Sequence, residues 1–474
     1  MFLLKMIDFW NIKIECDDIS ILKHIRNHFS VYAKNFRFSP AYQMGRWDGR
    51  IRFFKDDCSL PFGLLTEFLK FKFQNYPDSK MVIEQEVKDK FKTFKELEYK
   101  WDLKYEPRWY QEECIRTACE RKSGIFKCPT ASGKSLIIAY IGSNLLYNEL
   151  INKVLIVVPQ LNLITQFKND LEDYGINPDN IGEVYSKKKE FDKKYVISTW
   201  QSLRSQKEFL DDFDCIIIDE CHQGKAREIQ EILKSSKAEY RFGVTGTLPD
   251  EEIDLMNIKS YLGPVLKEYS MSMLRDEGYL SKCMINLYDI HYKVSKFYGE
   301  FDEVRDQIFK NPFRMKLIKK ILEDQVKNDT LLILVNFIDK EGYYLKDVLE
   351  KAFPDKKIIF LEGSVKKDKR EEVRLEACND GKDLWIISTY PIFQAGVNIP
   401  NLRYVMLAAP YKSKIRVLQS IGRALRPHKS KEANGSQIYD FIDNNNKWFP
   451  RHAKTRKLYY AREDFPVKEI LVKE

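Results

Sequence analysis

The stretch from Ile125 to Ser135, IFKCPTASGKS, constrains this chain more than any other. An apolar lead-in ends at Cys128, a turn follows, and Gly133-Lys134-Ser135 opens an apolar helical run through Leu136, Ile137, Ile138 and Tyr140. Strand, glycine-containing loop and helix in that order form a cradle for polyphosphate, because loop N–H groups and the positive end of the helix face the anion together. Pro129, Thr130, Ala131, Ser132 and Gly133 supply the loop, Lys134 reaches the outer phosphates, and the Ser135 hydroxyl suits Mg²⁺. Cys128 stands where the general GxxxxGK[ST] pattern has its first glycine. Alone, the stretch also fits an ordinary turn ahead of a helix.

At 474 residues the chain is long enough for roughly three domains of ~150 residues. With 44% hydrophobic and 13% aromatic residues it can bury substantial cores. A net charge of +9 permits a polyanionic partner without demanding one. The nine cysteines form no CxxC pair and the six histidines are dispersed, which predicts reduced thiols and no structural metal. The N-terminus MFLLKMIDFW lacks a signal-peptide pattern, and no run of about 18 apolar residues occurs. The expectation is a soluble cytoplasmic monomer with no membrane partner, in the host cytoplasm if the source is viral.

Residues 1–100 read as a small α+β unit. Asn11-Ile12-Lys13-Ile14-Glu15 alternates like a strand, and Ser20 to His28 resembles a short amphipathic helix. Asp48-Gly49, between Trp47 and Arg50-Ile51-Arg52-Phe53-Phe54, predicts a β-hairpin tip. From Lys34 to Lys55 six basic residues accompany one acid, Asp48, and Arg46, Arg50 and Arg52 interleave with Tyr42, Trp47 and Phe53. That mixture suits nucleic acid, with arginines on phosphates and aromatics on bases. It equally suits a small β domain with an aromatic core and a solvated basic face. Pro77-Asp78 and Glu86-Val87-Lys88 carry the residue types of a metal-dependent nuclease, but such combinations are common in charged sequence.

Residues 105–265 alternate strand and helix patterns, with apolar strands at Val154–Val158, Tyr195–Ser198, Cys215–Ile218 and Phe242–Thr245. Residues 330–445 repeat the rhythm, with strands at Leu331–Val335, Lys357–Leu361, Leu384–Ser388, Tyr404–Ala408 and Gln437–Phe441. The charged stretch between them reads as mostly helical. The predicted class is therefore α/β: two parallel-sheet domains preceded by a small α+β domain. The predicted boundaries are 1–100, 101–270, a helical connection at 271–325, and 326–474. One phosphate loop for two such domains suggests a nucleotide site that both complete.

Cys215-Ile216-Ile217-Ile218 is a buried-strand pattern delivering Asp219-Glu220-Cys221-His222 at its carboxyl end, where open α/β sheets keep their ligands. Asp219 suits a Mg²⁺ shell, and Glu220 the orientation or deprotonation of an attacking water. A polar turn after a strand would look the same, but this one follows Lys134 by 85 residues.

Together these motifs resemble those of superfamily 2 helicases of the DExH kind, in that family's order. The resemblance implies two RecA-like domains, ATP and Mg²⁺ as cofactors, and nucleic acid as the track. Arg108-Trp109-Tyr110-Gln111 is similar to the adenine-reading element, which implies Gln111 on the adenine edge with Arg108 and Tyr110 near the base. Val158-Pro159-Gln160 through Gln166, and Ser198-Thr199-Trp200-Gln201-Ser202, match strand-gripping loops. His222 and Thr245-Gly246-Thr247 match the elements that couple hydrolysis to motion. In the second domain Asn336-Phe337, Gly363-Ser364 and Thr389 match strand contacts, and Gly396 and Asn398 lie in a nucleotide motif. Gln419-Ser420-Ile421-Gly422-Arg423-Ala424-Leu425-Arg426 matches the last motif. On a helix Gln419, Arg423 and Arg426 share one face and can present two guanidiniums to a γ-phosphate. Ala131 stands where many relatives carry glycine, yet neither it nor Cys128 removes a catalytic group.

PAYQMGRWDGRIRFF and LPFGLL, ahead of the motor, resemble the N-terminal domain of phage UvsW-type helicases. That resemblance implies an ATP-driven DNA motor for branched DNA, acting in recombination, repair and replication by reversing forks, migrating Holliday junctions and unwinding RNA–DNA hybrids. The residues themselves read only as a nucleotide-driven, two-lobed motor. A motor subunit of a restriction or repair nuclease, and a duplex translocase without strand separation, fit the same motifs. A binding module with a decayed motor is opposed by the intact acids and arginines. From Asn444 to Arg462 six basic residues and no acid interleave with Trp448, Phe449, Tyr459 and Tyr460. This tail suits either DNA contact or an amphipathic helix packed on its own domain.

Overall fold

A computed structural model describes the chain except at residues 94, 224–225, 295, 327–328, 362–366, 379–383, 395–398, 400, 410–413 and 433–434. The side chains of 226–227, 367–371, 374, 393–394, 414–416 and 419 also lie outside the description. The chain divides into two compact units, Met1–Cys128 with Gly133–Glu268, and Pro129–Ser132 with Tyr269–Glu474. Among the described residues no helix is long and apolar enough to cross a membrane.

The first unit opens with a four-stranded sheet in the order Ser59–Pro61, Asn11–Cys16, Phe2–Met6, Met81–Ile83. Alternation puts Phe2, Leu4, Ile12 and Ile14 on one buried face, against Ile25 of the helix Ile19–His28 and Phe68 of the helix Leu65–Asn75. Asp18 caps the first of these helices by accepting the Ser20 N–H at 2.7 Å. The core does not stop at this sheet. Ile253 and Met256, from the helix Glu252–Leu262, pack into it. Gly63 presses on that helix so closely that a Cβ would lie 2.1 Å from the Lys259 carbonyl oxygen, and the Lys259 ammonium pairs with Glu67 at 2.7 Å.

The hairpin expected at Asp48-Gly49 does not form. Arg50–Arg52 pairs antiparallel with Ser30–Tyr32, well upstream of Trp47. The Trp47 backbone N–H is taken by the Ala41 carbonyl and its indole N–H donates to the Arg50 carbonyl at 2.9 Å, so it has no place in a ladder.

The next eight strands form one sheet in the order Lys188–Lys189, Ile181–Tyr185, Tyr195–Thr199, Val154–Val158, Cys215–Asp219, Tyr240–Thr245, Ser123–Lys127, Val265–Glu268. Its central pairings are parallel, as the unbroken Val/Ile/Leu runs require. The strand leading to the phosphate loop is thus one strand away from that carrying Asp219, with Tyr240–Thr245 between. Three carboxyl ends converge there.

The second unit holds a seven-stranded parallel sheet, ordered Lys357–Leu361, Leu384–Thr389, Leu331–Val335, Tyr404–Leu407, Ser436–Asp443, Cys283–His291, Val467–Lys473. The helical connection expected at 271–325 is corrected by Cys283–His291, a nine-residue strand between Ser436–Asp443 and Val467–Lys473. Burial of Ile285, Leu287 and Ile290 outweighs the polar residues Asn286 and Asp289 in that strand. Helices do follow it, at Phe301–Phe309 and Pro312–Gln325.

Candidate active site

Ser123–Lys127 leads into Cys128, whose N–H donates to the Thr245 carbonyl at 2.8 Å, tying the entry of the loop to the neighbouring strand. Within the loop the Ser132 N–H returns to the Pro129 carbonyl, and Ala131 takes φ 68°. Left-handed alanine stores strain of the kind concentrated at functional turns. Gly133 has φ 77°, and a Cβ there would meet the Gln111 amide nitrogen at 2.4 Å. Gln111 is buried, accepts the Arg108 N–H at 2.8 Å and faces the Gly133 carbonyl at 3.5 Å. The adenine-reading candidate and the phosphate loop are therefore in contact. Tyr110 is fully buried, with its hydroxyl 3.2 Å from the Arg108 guanidinium, so its ring braces Arg108 and offers no free face for a base.

The helix Lys134–Tyr147 starts with Lys134, whose ammonium lies 3.1 Å from Glu220. Ser135 shares a 2.7 Å hydrogen bond with the Tyr174 hydroxyl. Asp219 ends its strand beside them; burial, then the Glu220 charge, pushes its pKa up to about 7. Its buried Oδ1 has no hydrogen-bond partner among the described residues. Glu220 behaves oppositely: burial acts to raise it, but the Lys134 ammonium and the Gly246 N–H outweigh that and hold it below the usual carboxylate value. Two adjacent carboxyls are thus driven apart, the pattern that separates acid–base roles. Glu220 itself sits at φ 49°.

His222 and Thr245 join the same network. His222 Nδ1 is 2.5 Å from the Thr245 hydroxyl and 3.3 Å from Glu220, and burial lowers the imidazole pKa, keeping the ring neutral. The Thr245 hydroxyl donates to the Thr247 carbonyl at 2.7 Å. A carboxylate beside the nucleotide loop is linked through two side chains to the next strand end.

In the second unit, Asn336 and Phe337 follow the strand Leu331–Val335, and both N–H groups donate to the buried Glu341 carboxylate, at 2.7 and 3.2 Å. Glu341 lies in a short π-helical turn, Ile338–Tyr343, and pairs with Arg305 at 3.4 Å. Arg305 in turn lies over the exposed Phe337 ring, 4.1 Å from its centroid. Thr389 ends its strand, buried. Arg423 is in the last turn of the helix Lys414–Ala424. Arg426 is not on it: the helix stops two residues earlier, as the following Pro427 favours, so the shared face expected for Gln419, Arg423 and Arg426 does not extend to Arg426. Its carbonyl is instead fixed by the Ser281 hydroxyl at 3.1 Å and the buried Lys431 ammonium at 2.8 Å. Gly363, Ser364, Gly396, Asn398 and the Gln419 side chain lie outside the described residues.

Three family models match the chain: DNA helicase UvsW, N-terminal, over residues 2–84; type III restriction enzyme, res subunit, over 104–250; and helicase conserved C-terminal domain, over 314–428. The ATP-dependent DNA helicase UvsW of phage T4 is 30% identical over 475 residues, covering 95% of this chain and 92% of its own. The chain belongs to the UvsW-type superfamily 2 helicases. Its enzyme class is that of an ATP-driven helicase. The crystal structure of T4 UvsW matches all of it (100%, and 99% of that chain) at 26% identity with a TM-score of 0.50. A fragment of the HsdR subunit of a type I restriction enzyme from Vibrio vulnificus, 18% identical, shares the fold, with a TM-score of 0.60 over 79% of this chain and 70% of that one.

Elsewhere in this UvsW-type helicase the expected nucleic-acid contacts fare unevenly. Gln160 is exposed at the start of the helix Leu161–Asp173, with Pro159 buried behind it and Gln166 half-buried. Thr199 caps the turn Trp200–Leu203 through the Ser202 N–H, and Gln201 is exposed. The Trp200 indole is withdrawn into the core beside Leu203 and Phe213, which corrects its assignment as a side chain for nucleic acid. Arg46 is exposed; Trp47 is half-buried; Arg50 lies over the Tyr32 ring; Arg52 is paired with Asp48. Asp78, Glu86 and Lys88 are exposed, and no metal-binding group of three or more acids, histidines or cysteines occurs among the described residues. In the tail helix Phe449–Arg462, Arg456 is buried in a two-pronged pair with Asp440 at 2.8 and 2.9 Å, so it is structural. Tyr174, Glu341, Arg305 and Lys431 were not legible beforehand, because none belongs to a local pattern.

Proposed function

We propose that this helicase uses ATP with Mg²⁺ to move branch points in DNA: regressing stalled forks, migrating Holliday junctions and unwinding RNA–DNA hybrids. One observation carries the reading: identity with the T4 DNA helicase UvsW runs through both the N-terminal domain and the motor, over 95% of the chain. The buried Asp219 Oδ1, unpartnered among the described residues, and the Ser135 hydroxyl fit an oxygen-seeking dication. Mg²⁺ held there would supply positive charge to the phosphates.

The chain's own residues do the rest. Lys134 exchanges Glu220 for the outer phosphates, and the released Glu220 carboxylate orients and deprotonates the attacking water. Arg423 and Arg426 neutralise charge growing on the terminal phosphate. His222, Thr245 and Thr247, already bonded around Glu220, carry the change to the neighbouring loops. Gln160, Gln166, Thr199, Gln201, Asn336, Phe337 and Thr389 hold one strand largely through its backbone, which leaves the motor sequence-blind. Arg46, Trp47 and Arg50 bring the N-terminal domain to duplex beside the branch.

The test is strand separation on fork, Holliday-junction, R-loop and simple-overhang substrates side by side with ATP and Mg²⁺. Preference for the branched substrates supports the reading. A protein that opens only simple overhangs would overturn it.

A further inference from the structure

The N-terminal domain leaves several large apolar side chains in water that its own core does not need. Phe38 is 79% exposed, Met44 64%, Tyr32 48%, Ile51 41% and Tyr42 37%, all within one small module, while Phe2, Leu4, Phe68 and their neighbours close the core elsewhere. Single exposed apolar residues are ordinary; five on one module call for a partner.

The module is stiff. Strand Ser30–Tyr32 pairs with Arg50–Arg52, and the Ala33 N–H donates to the Gly49 carbonyl at 2.8 Å. The Tyr32 and Phe36 rings stack at 4.6 Å, and Tyr42 meets Phe36 edge-on at 4.9 Å. Gly49 has φ 79°, and a Cβ there would collide with the Phe36 ring at 2.4 Å, so the backbone is packed against that aromatic file. Phe38 and Met44 project from this frame on the turns that follow Phe36 and Tyr42.

Lys34 pairs with Glu251 at 3.2 Å, at the start of the helix Glu252–Leu262 that buries Ile253 in the N-terminal core. That helix begins five residues after Thr247.

Charge selects the partner. Arg37 lies over the Phe36 ring, Arg50 over Tyr32, and Arg46 is exposed on the same module, while the local acid, Asp48, is engaged by Arg52. Exposed apolar side chains on a module that also carries guanidiniums fit nucleic acid at a place where bases are accessible, since inserted apolar side chains unstack a base step while arginines hold the flanking phosphates. We propose that Phe38 and Met44 form a strand-separating wedge that enters the branch of a forked duplex. This rests on the reading of the protein as a branched-DNA helicase, and gives that reading the element that parts the strands.

The test uses the full chain and a fork carrying 2-aminopurine in the base pair next to the branch. Without nucleotide, the parent is expected to raise the fluorescence of that base on binding, which requires no ATPase. The variant Phe38→Ser/Met44→Ser is expected to lose this rise and to separate strands about ten-fold more slowly. It keeps fork affinity and DNA-stimulated ATPase within about two-fold, because both side chains are exposed and remote from Lys134 in sequence. Phe38→Trp is expected to restore the rise. A full fluorescence rise and parental unwinding in the double variant would overturn the wedge. So would a loss of fork binding in proportion to the loss of unwinding, which would make these side chains a general docking face. Failure of the parent to hydrolyse ATP with DNA would instead count against the helicase reading, with the nucleotide-free fluorescence still judging the wedge.

Discussion

The Lys134 ammonium lies 3.1 Å from the Glu220 carboxylate, both about seven-eighths shielded from water, so in the proposed mechanism the cation for phosphate is held by the base for water. On that proposal each restrains the other until a polyphosphate takes Lys134. Glu220→Gln is therefore expected to lower the ATPase kcat by ~10²–10⁴, the usual worth of a general base. Nucleotide affinity should be unchanged or tighter, since Lys134 no longer has to leave a full charge. Steady-state ATPase with a fluorescent-nucleotide titration checks both; a weaker nucleotide Kd would contradict the proposed exchange.

Gly133 cannot be replaced without moving Gln111. Gly133→Ala places a Cβ 2.4 Å from the Gln111 amide nitrogen at φ 77°. A left-handed alanine costs about 1–2 kcal/mol before the collision is counted. Lower stability in urea together with a raised KM for ATP is expected. Unchanged KM would separate Gln111 from the nucleotide.

The tail is a structural anchor at one position and a basic surface at others. Arg456 and Asp440 are both almost wholly buried and form a bidentate pair, joined by the Tyr460 hydroxyl at 2.8 Å. Arg456→Ala leaves the carboxylate uncompensated and should cost about 3–5 kcal/mol. Arg451→Ala and Lys454→Ala, at exposed positions, should leave stability within about 0.5 kcal/mol. Urea unfolding of the three variants decides this.

A half-buried lysine of the N-terminal domain sets a pH dependence. Lys90 donates to the Phe9 carbonyl and lies 3.2 Å from that ring's centroid; burial, then the nearby Arg241 charge, lowers its pKa from 10.5 to about 7. Between those two values the unfolded chain holds a proton that the folded chain has released, so raising the pH stabilises the fold. Below pH 7 both states are protonated and the full penalty is present. The Tm of the parent should therefore rise relative to Lys90→Met as pH increases from 7 toward 10, with no relative change below that window. Parallel Tm curves would refute the assignment.

Sequence and structure agree where chemistry and hydrophobic runs coincide. Val154–Val158 and Cys215–Asp219 are central strands with unbroken apolar faces, and their carboxyl ends carry the motifs, so the strands and the placing of the candidate residues at their ends were readable. Cys283–His291 was hidden because Asn286 and Asp289 interrupt it, and Asn286 is accommodated through a 3.0 Å bond to Gln437, about 150 residues away. Val467–Lys473 is a charged edge strand whose apolar signal is thin. Trp200 illustrates the reverse error: its motif marks the loop, but packing beside Phe213 claims the indole. Tyr174 and Glu341 hold Ser135 and the Asn336–Phe337 backbone from distant or irregular positions, which no periodicity announces.

Strand separation of a synthetic fork with ATP and Mg²⁺, by the parent and by Lys134→Ala, tests the central claim most directly. The parent should part the strands, while Lys134→Ala binds the same fork and leaves it intact. Parting of the fork at the parental rate by Lys134→Ala would contradict the account.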